Sequence, residues 1–281
     1  MINKTWQKDY ESTTHINPDS NNSLAKLLKL IGENRSILEF GCASGYFSRM
    51  LSERGCHITG IEINSNAAQQ AEKYCGRVIV ADLDFISLNE LLPQQTFDVA
   101  VFGDVLEHLR DPWHILETTR KLLNPGGFVV ASIPNVAHGA VRLALLQGKF
   151  NYQKYGILEN THIRFFTGQT IKELFEKSGY FLDAIERTKI PILADFNLLP
   201  QFDKNAVDPK LISELEKDEE SDTPQFIVRA YPESSENRYA ALLNQNNELQ
   251  EALNKTTSEV KNIEKSRWWQ LRKLLPGLTK I

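Results

Sequence analysis

Cysteine is scarce in this chain: Cys42, Cys56 and Cys75 are the only three among 281 residues. An odd number without the close pairing of a zinc site excludes a disulfide framework and favours a reducing compartment. No stretch approaches the ~18 consecutive apolar residues of a membrane-spanning helix, and the first ten residues hold no apolar leader core. The expected location is therefore cytoplasmic. Positive charge is not in excess, with 32 Lys plus Arg against 36 Asp plus Glu and a formal net charge of −4. That balance argues against a chain-wide nucleic-acid partner. What remains is an ordinary globular composition, 41% hydrophobic and 24% charged. The length suits two domains of the usual ~100–200 residues, or one with additions.

Residues 22–31 carry leucines at 24, 27, 28 and 30, an amphipathic helical spacing with Ser20 or Ser23 as N-cap. Short apolar runs at 36–40, 57–61, 77–81, 97–102 and 127–133 then alternate with helix-like stretches at 46–54, 65–74, 86–92 and 112–123. Near-continuous apolar strands separated by helices predict a parallel sheet covered on both faces. Residues 136–168 break the rhythm with an apolar helix and an aromatic loop, expected to lie over the sheet as a lid. A helix at 170–178 leads to two further strands at 180–189 and 224–231. Between them, an insertion at 191–223 carries Glu214, Glu216, Asp218, Glu219, Glu220 and Asp222, expected to be a solvated helix face.

Beyond 232 the period changes. Tyr239, Leu242, Asn246, Leu249, Leu253, Thr256, Val260 and Ile263 are spaced alternately three and four apart, the seam of a coiled coil. Homo-oligomerisation through 239–263 is expected from it, against the alternative of an amphipathic helix packed on its own domain. The last residues hold Lys265, Arg267, Arg272, Lys273 and Lys280 with no acid, beside Trp268 and Trp269. Such a basic amphipathic tail suits an anionic membrane surface or a partner complex. The expected organisation is a helical segment at 1–33, an α/β domain at 34–232, a coiled-coil helix at 233–266 and the tail at 267–281.

The strongest local signal is Glu39-Phe-Gly41-Cys-Ala-Ser-Gly45, where a strand runs into glycines and then a helix. Glycines there let the backbone approach a ligand, and the helix start presents free N–H groups. A dinucleotide fingerprint would place glycines at 41, 43 and 46, but Ala43 and Tyr46 stand at two of these, which disfavours NAD. The second strand ends in Glu62, 21 residues after Gly41, where a carboxylate can hold an adenosine ribose. The third ends at Asp82, suited to an exocyclic adenine amine.

With Phe97-Asp-Val-Ala-Val-Phe-Gly103-Asp104-Val-Leu-Glu107-His108-Leu109 and Leu122-Leu-Asn-Pro-Gly-Gly127, these pieces resemble the class I S-adenosylmethionine-dependent methyltransferases over about residues 30–231. The resemblance implies a Rossmann-like seven-stranded sheet with its last strand antiparallel, and S-adenosylmethionine as methyl donor. It implies that Glu39, Gly41 and Gly45 flank the methionine portion, Glu62 holds the ribose, and Asp82 with Leu83 frames adenine. Gly103 and Asp104 would stand beside the sulfur. Imidazole is the natural proton acceptor for an alcohol nucleophile, so His162 and His108 are the candidate bases, with Arg164 beside them. Asp104, Glu107, His108 and His162 also resemble the metal set of small-RNA 3′-terminal 2′-O-methyltransferases, although Asp104 is shorter than the usual glutamate; a metal-free site is the preferred expectation. The stretch 147–167 and the tail are similar to methyltransferases found with bacterial glycosyltransferases in surface-polysaccharide assembly. That similarity implies a glycan or nucleotide-sugar acceptor, with Tyr152, Tyr155, Phe165 and Phe166 available to stack on a sugar. The alternatives are the RNA enzyme and a non-catalytic scaffold that keeps the fold.

Overall fold

A computed structural model describes residues 21–266. The first helix, α1 (Ser23–Ile31), is capped by Asn22, whose Oδ1 accepts from the N–H of Leu24 at 2.8 Å and of Ala25 at 3.4 Å. Neither expected serine has that role: Ser23 is already helical, and Ser20 lies outside the described residues. An amide oxygen one residue before the helix reaches two orphan N–H groups that a first-turn hydroxyl cannot.

Strands and helices then alternate as β1 (Ser36–Phe40), α2 (Tyr46–Ser52), β2 (His57–Glu62), α3 (Ser65–Ala71), β3 (Arg77–Val80), α4 (Leu88–Leu91), β4 (Phe97–Gly103), α5 (Pro112–Thr119) and β5 (Leu123–Pro134). The lid helix α6 (Gly139–Leu146) and α7 (Gly168–Lys177) precede β6 (Tyr180–Arg187), α8 (Pro209–Leu215) and β7 (Gln225–Pro232). The seven strands lie in the order β3-β2-β1-β4-β5-β7-β6. β1 to β5 are parallel, and β7 runs antiparallel between β5 and β6. This is the Rossmann-like sheet with helices expected of the sequence. Its strand order reverses between β1 and β4, so the loops after these two strands part and leave a crevice at the carboxyl edge.

Apolar burial is what holds the loops at that edge in place. Leu38, Phe40, Ala100, Phe102, Val129 and Ala131 are fully buried at the centre of the sheet, with Phe40 and Phe102 stacked at 4.2 Å. Local caps set where helices begin: Asn64 for α3, Asp111 with Pro112 behind it for α5, and Thr167 with Thr170 in a capping box for α7.

The acidic run differs from expectation. Only its start belongs to a helix, and four members turn back onto the domain. Asp218 pairs with Arg142 of α6 at 2.6 Å, Glu219 with Arg187 of β6 at 2.9 Å and Asp222 with Lys189 at 2.5 Å. Glu220 accepts from the N–H of Gly168 at 3.1 Å. The partners lie 32 to 76 residues away in sequence, beyond any local pattern. Insertion and lid share one small core, in which Leu199 packs with Ala140, Val141, Ile157 and Leu158.

Residues 1–234 and 235–281 form two units. In the second, α9 (Ser235–Lys265) is one continuous 31-residue helix. The basic tail from Arg267, including Trp268 and Trp269, lies outside the described residues. Among the described residues no helix is long and apolar enough to cross a membrane.

Candidate active site

The loop after β1 folds back on β2, where the N–H groups of Gly41 and Cys42 both donate to the Ile61 carbonyl, at 2.8 and 3.3 Å. Gly41, Ala43 and Gly45 all have left-handed φ, at 66°, 47° and 81°. A Cβ on Gly41 would stand 2.8 Å from a Val105 methyl, and one on Gly45 would stand 2.8 Å from the Ala71 backbone. Glycine is therefore required at both for conformation and for space. Ala43 holds the same backbone region with a Cβ, at a cost of about 1–2 kcal/mol.

Two buried acids support this loop. Glu39 is buried at the end of β1, where its Oε2 accepts from the Ser48 hydroxyl at 2.6 Å. Loss of hydration pushes its pKa up to about 8 despite that hydrogen bond. Glu62 joins two loops: Oε2 accepts from the N–H of Ala43 at 2.9 Å and Oε1 from that of Asn64 at 2.8 Å. Each oxygen retains a second lone pair for a ribose hydroxyl, so Glu62 fits that group while bracing the loop that would receive it. Asp82 is half-buried after β3, with Oδ1 accepting from Asp84 N–H at 3.0 Å, and Leu83 packs against the core. Sequence reading passed over two exposed apolar side chains here, Ile63 directly after Glu62 and Phe85 three residues beyond Asp82, 42% and 71% exposed, the latter with the Arg110 guanidinium 5.1 Å over its ring.

At the end of β4, Asp104 is a structural brace. Its N–H donates to the Ser132 carbonyl and hydroxyl, at 3.2 and 3.1 Å, and its Oδ1 accepts from the Ser132 hydroxyl at 2.9 Å and from the Gln225 amide. The carboxylate thus fastens β4 to β5 and β7. Gly103 precedes it, and a Cβ there would meet only Leu27 at 3.9 Å, an ordinary contact.

One turn later three side chains converge. Glu107 and His108 lie in a short 3-10 turn, Leu106–His108, and His162 comes from the lid loop; all are buried. The lid is fastened here by two hydrogen bonds, from the N–H groups of Ile163 and Arg164 to the Glu107 carbonyl, both at 3.0 Å. His108 Nδ1 lies 3.1 Å from the Thr161 carbonyl and His162 Nδ1 lies 3.0 Å from the Ile157 carbonyl. A carbonyl can only accept, so in both neutral rings Nδ1 carries the proton and Nε2 the lone pair. The rings meet edge-on at 4.8 Å, with His162 Nε2 3.9 Å from Glu107 Oε1. One ligand atom from each of the three lies within 4.8 Å of the others. Two imidazoles and a carboxylate suit Zn²⁺, Mn²⁺ or Fe²⁺ better than Ca²⁺. The structure brings together three of the four residues read as a possible metal set and leaves out Asp104. Arg164 stays apart, its guanidinium 5.6 Å over the Trp113 ring and donating to the Arg110 carbonyl.

A doubly wound seven-stranded sheet with glycines after β1 and acids closing β2 and β3 defines a Rossmann-like methyltransferase, with S-adenosylmethionine as its methyl donor. The chain belongs to the family described as "Methyltransferase domain", whose model matches residues 7–185. The solved structure of a SAM dependent methyltransferase from Archaeoglobus fulgidus shares the fold, with a TM-score of 0.51 at 19% identity over 74% of this chain and 91% of that one. Among curated relatives, the Ubiquinone biosynthesis O-methyltransferase of Hydrogenovibrio crunogenus is 24% identical over 191 residues, 62% of this chain and 78% of its own length. Its namesake from Histophilus somni is 27% identical over 157 residues, 52% of this chain and 66% of its own length. That from Pseudomonas fluorescens is 24% identical over 212 residues, 73% of this chain and 90% of its own length.

The O-methyltransferase names of these relatives contradict the glycan acceptor that the resemblance of 147–167 and the tail implied, and the methyltransferase family contradicts a non-catalytic scaffold. Three of the four lid aromatics have other contacts, while Tyr152 is 59% exposed. Phe166 is buried in the main core, Phe165 packs into the lid core and against Phe150 at 5.6 Å, and Tyr155 lies beneath the Lys154 ammonium at 5.0 Å.

Proposed function

We propose that this protein transfers the methyl group of S-adenosylmethionine to a hydroxyl oxygen of a small organic acceptor held beneath the lid. The convergence of Glu107, His108 and His162 at the carboxyl end of β4 carries this reading, and the O-methyltransferase names of the relatives support it. S-adenosylmethionine supplies a methyl on a positively charged sulfur, a good leaving group, so the chain's task is alignment and removal of one proton. Its residues divide that task. Gly41 and Gly45 keep the loop after β1 low, Glu62 and Asp82 offer acceptors to adenosine, and His162 Nε2 takes the hydroxyl proton as the oxygen–carbon bond forms and the carbon–sulfur bond breaks. Glu107 favours the imidazolium that results.

The cluster within 4.8 Å favours a second version at the same place. Glu107, His108 and His162 would hold a divalent ion, which would lower the pKa of a hydroxyl bound to it. A cytoplasmic location, expected from an odd number of cysteines without zinc-site spacing, belongs to the same proposal.

The test is transfer of labelled methyl from S-adenosylmethionine into a panel of small phenols and alcohols by the full chain, with product linkage read by mass spectrometry. O-methyl ether is expected. Products methylated only on nitrogen, or on polymers alone, would refute it. Exhaustive chelation followed by Zn²⁺, Mn²⁺ or Mg²⁺ add-back separates the two versions: full activity after chelation leaves His162 as the base.

A further inference from the structure

Six apolar side chains of the α9 heptad stripe stand in water. Tyr239, Leu242 and Leu249 are 64%, 63% and 70% exposed; Leu253, Val260 and Ile263 are 59%, 49% and 57% exposed. Most helical stability comes from packing an apolar face, so a 31-residue helix with this stripe requires an occupant for it. We propose that the occupant is a second copy of this chain, lying antiparallel on the first about a dyad beside Glu251.

The order of residues along the stripe selects both the partner and its direction. Read from either end it runs apolar, apolar, polar, apolar. A foreign partner places no such constraint on the sequence, whereas a reversed copy requires it. In the antiparallel register Tyr239 meets Ile263 of the second copy, Leu242 meets Val260, and Leu249 meets Leu253. The two polar positions, Asn246 and Thr256, then meet each other, and all eight seam positions fall inside the helix.

The Thr256 hydroxyl decides against the parallel alternative. It donates to the Ala252 carbonyl of its own helix at 2.9 Å, which leaves its oxygen only to accept. An antiparallel Asn246 supplies the missing donor through its amide N–H₂ in both symmetric layers. In a parallel pair Thr256 faces its own copy. While both hydroxyls donate to their own helices the two oxygens cannot bond to each other, so the parallel layer lacks the hydrogen bond that the antiparallel layer forms.

The test uses the full chain. Sedimentation over a concentration series should show a dimer, and Leu249→Asp with Leu253→Asp, which break the central layers, should raise the dimer dissociation constant at least a hundredfold without changing the affinity of the first unit for S-adenosylhomocysteine. Lys265→Cys carrying a spin label then reads direction, since the three native cysteines are buried. At 1.5 Å rise per residue an antiparallel pair separates the labels by ~45 Å, and a parallel pair by ~20 Å. A dimer with the long distance is the expected result. A monomer, any higher assembly, a dimer that survives both aspartates, or the short distance would each overturn the proposal.

Discussion

Burial keeps a proton on Glu39 at neutral pH, and two measurable effects follow. Its carboxyl is pushed up to about 8 in the folded protein against 4.5 when exposed, so the native state binds the proton more tightly. The associated stability is fully present below about pH 4.5 and is lost as pH rises through 8, a change on the order of a few kcal/mol. Glu39→Gln should therefore flatten the fall in melting temperature between pH 6 and 9, and a wild-type curve already flat over that range would contradict it. The second effect concerns binding. The methionine portion proposed to lie beside Glu39 carries a sulfonium and an ammonium in S-adenosylmethionine, which favour the carboxylate, so binding of S-adenosylmethionine should expel a proton at pH 7. Calorimetry in buffers of differing ionisation enthalpy reads that proton directly, and Glu39→Gln should abolish its release.

At His162 the fixed tautomer makes a sharper forecast. His162→Gln keeps a polar group of similar reach but offers no basic nitrogen, so kcat should fall about 10²–10⁴-fold, the usual contribution of a positioned base. Affinity for S-adenosylhomocysteine should change less than twofold. An unchanged kcat would remove the ring from proton transfer. The places of Gly41, Gly45, Glu39 and Glu62 were legible in sequence because three stand at strand ends and Gly45 at the start of α2, each beside its own loop. Asp104 was legible as a site-edge acid but not as a brace, because Ser132 and Gln225, which hold it, lie 28 and 121 residues away.

Among the strands, β7 shows where pattern reading stops. Alternation places Arg229 on the face opposite Phe226, Val228 and Ala230, and such a face is ordinarily wet; Arg229 is nevertheless 2% exposed. Its Nε donates to Asp183 Oδ2 of β6 at 2.7 Å, and its guanidinium lies 5.8 Å over the Phe128 ring. Removing one member of a buried pair strands the other charge, so Asp183→Asn should cost about 3–5 kcal/mol. Replacing both with apolar residues of similar volume, Asp183→Leu with Arg229→Met, should cost far less. Urea unfolding of the three chains tests this, and equal losses in single and double variants would contradict it. Both the buried arginine and the ion pairs of the insertion escaped the sequence because charge is read as solvation until its partner is known. The parallel strands did not, since runs buried on both faces leave an unbroken apolar record.

The division of the chain at Ser234 bears on what each part contributes. Every residue offered here for donor binding or proton transfer lies between Glu39 and His162, and all seven strands close by Pro232. The apolar stripe of α9 belongs to the other unit. A chain ending at Ser234 should therefore bind S-adenosylhomocysteine within twofold of the full chain and keep its pH dependence, because Glu39 and its surroundings are intact. It should sediment as a monomer at concentrations where the full chain is paired. Loss of cofactor affinity on truncation would mean that the second unit completes the donor pocket. Retained pairing would place self-association on the first unit instead, and the two failures are read by separate instruments, calorimetry for one and sedimentation for the other.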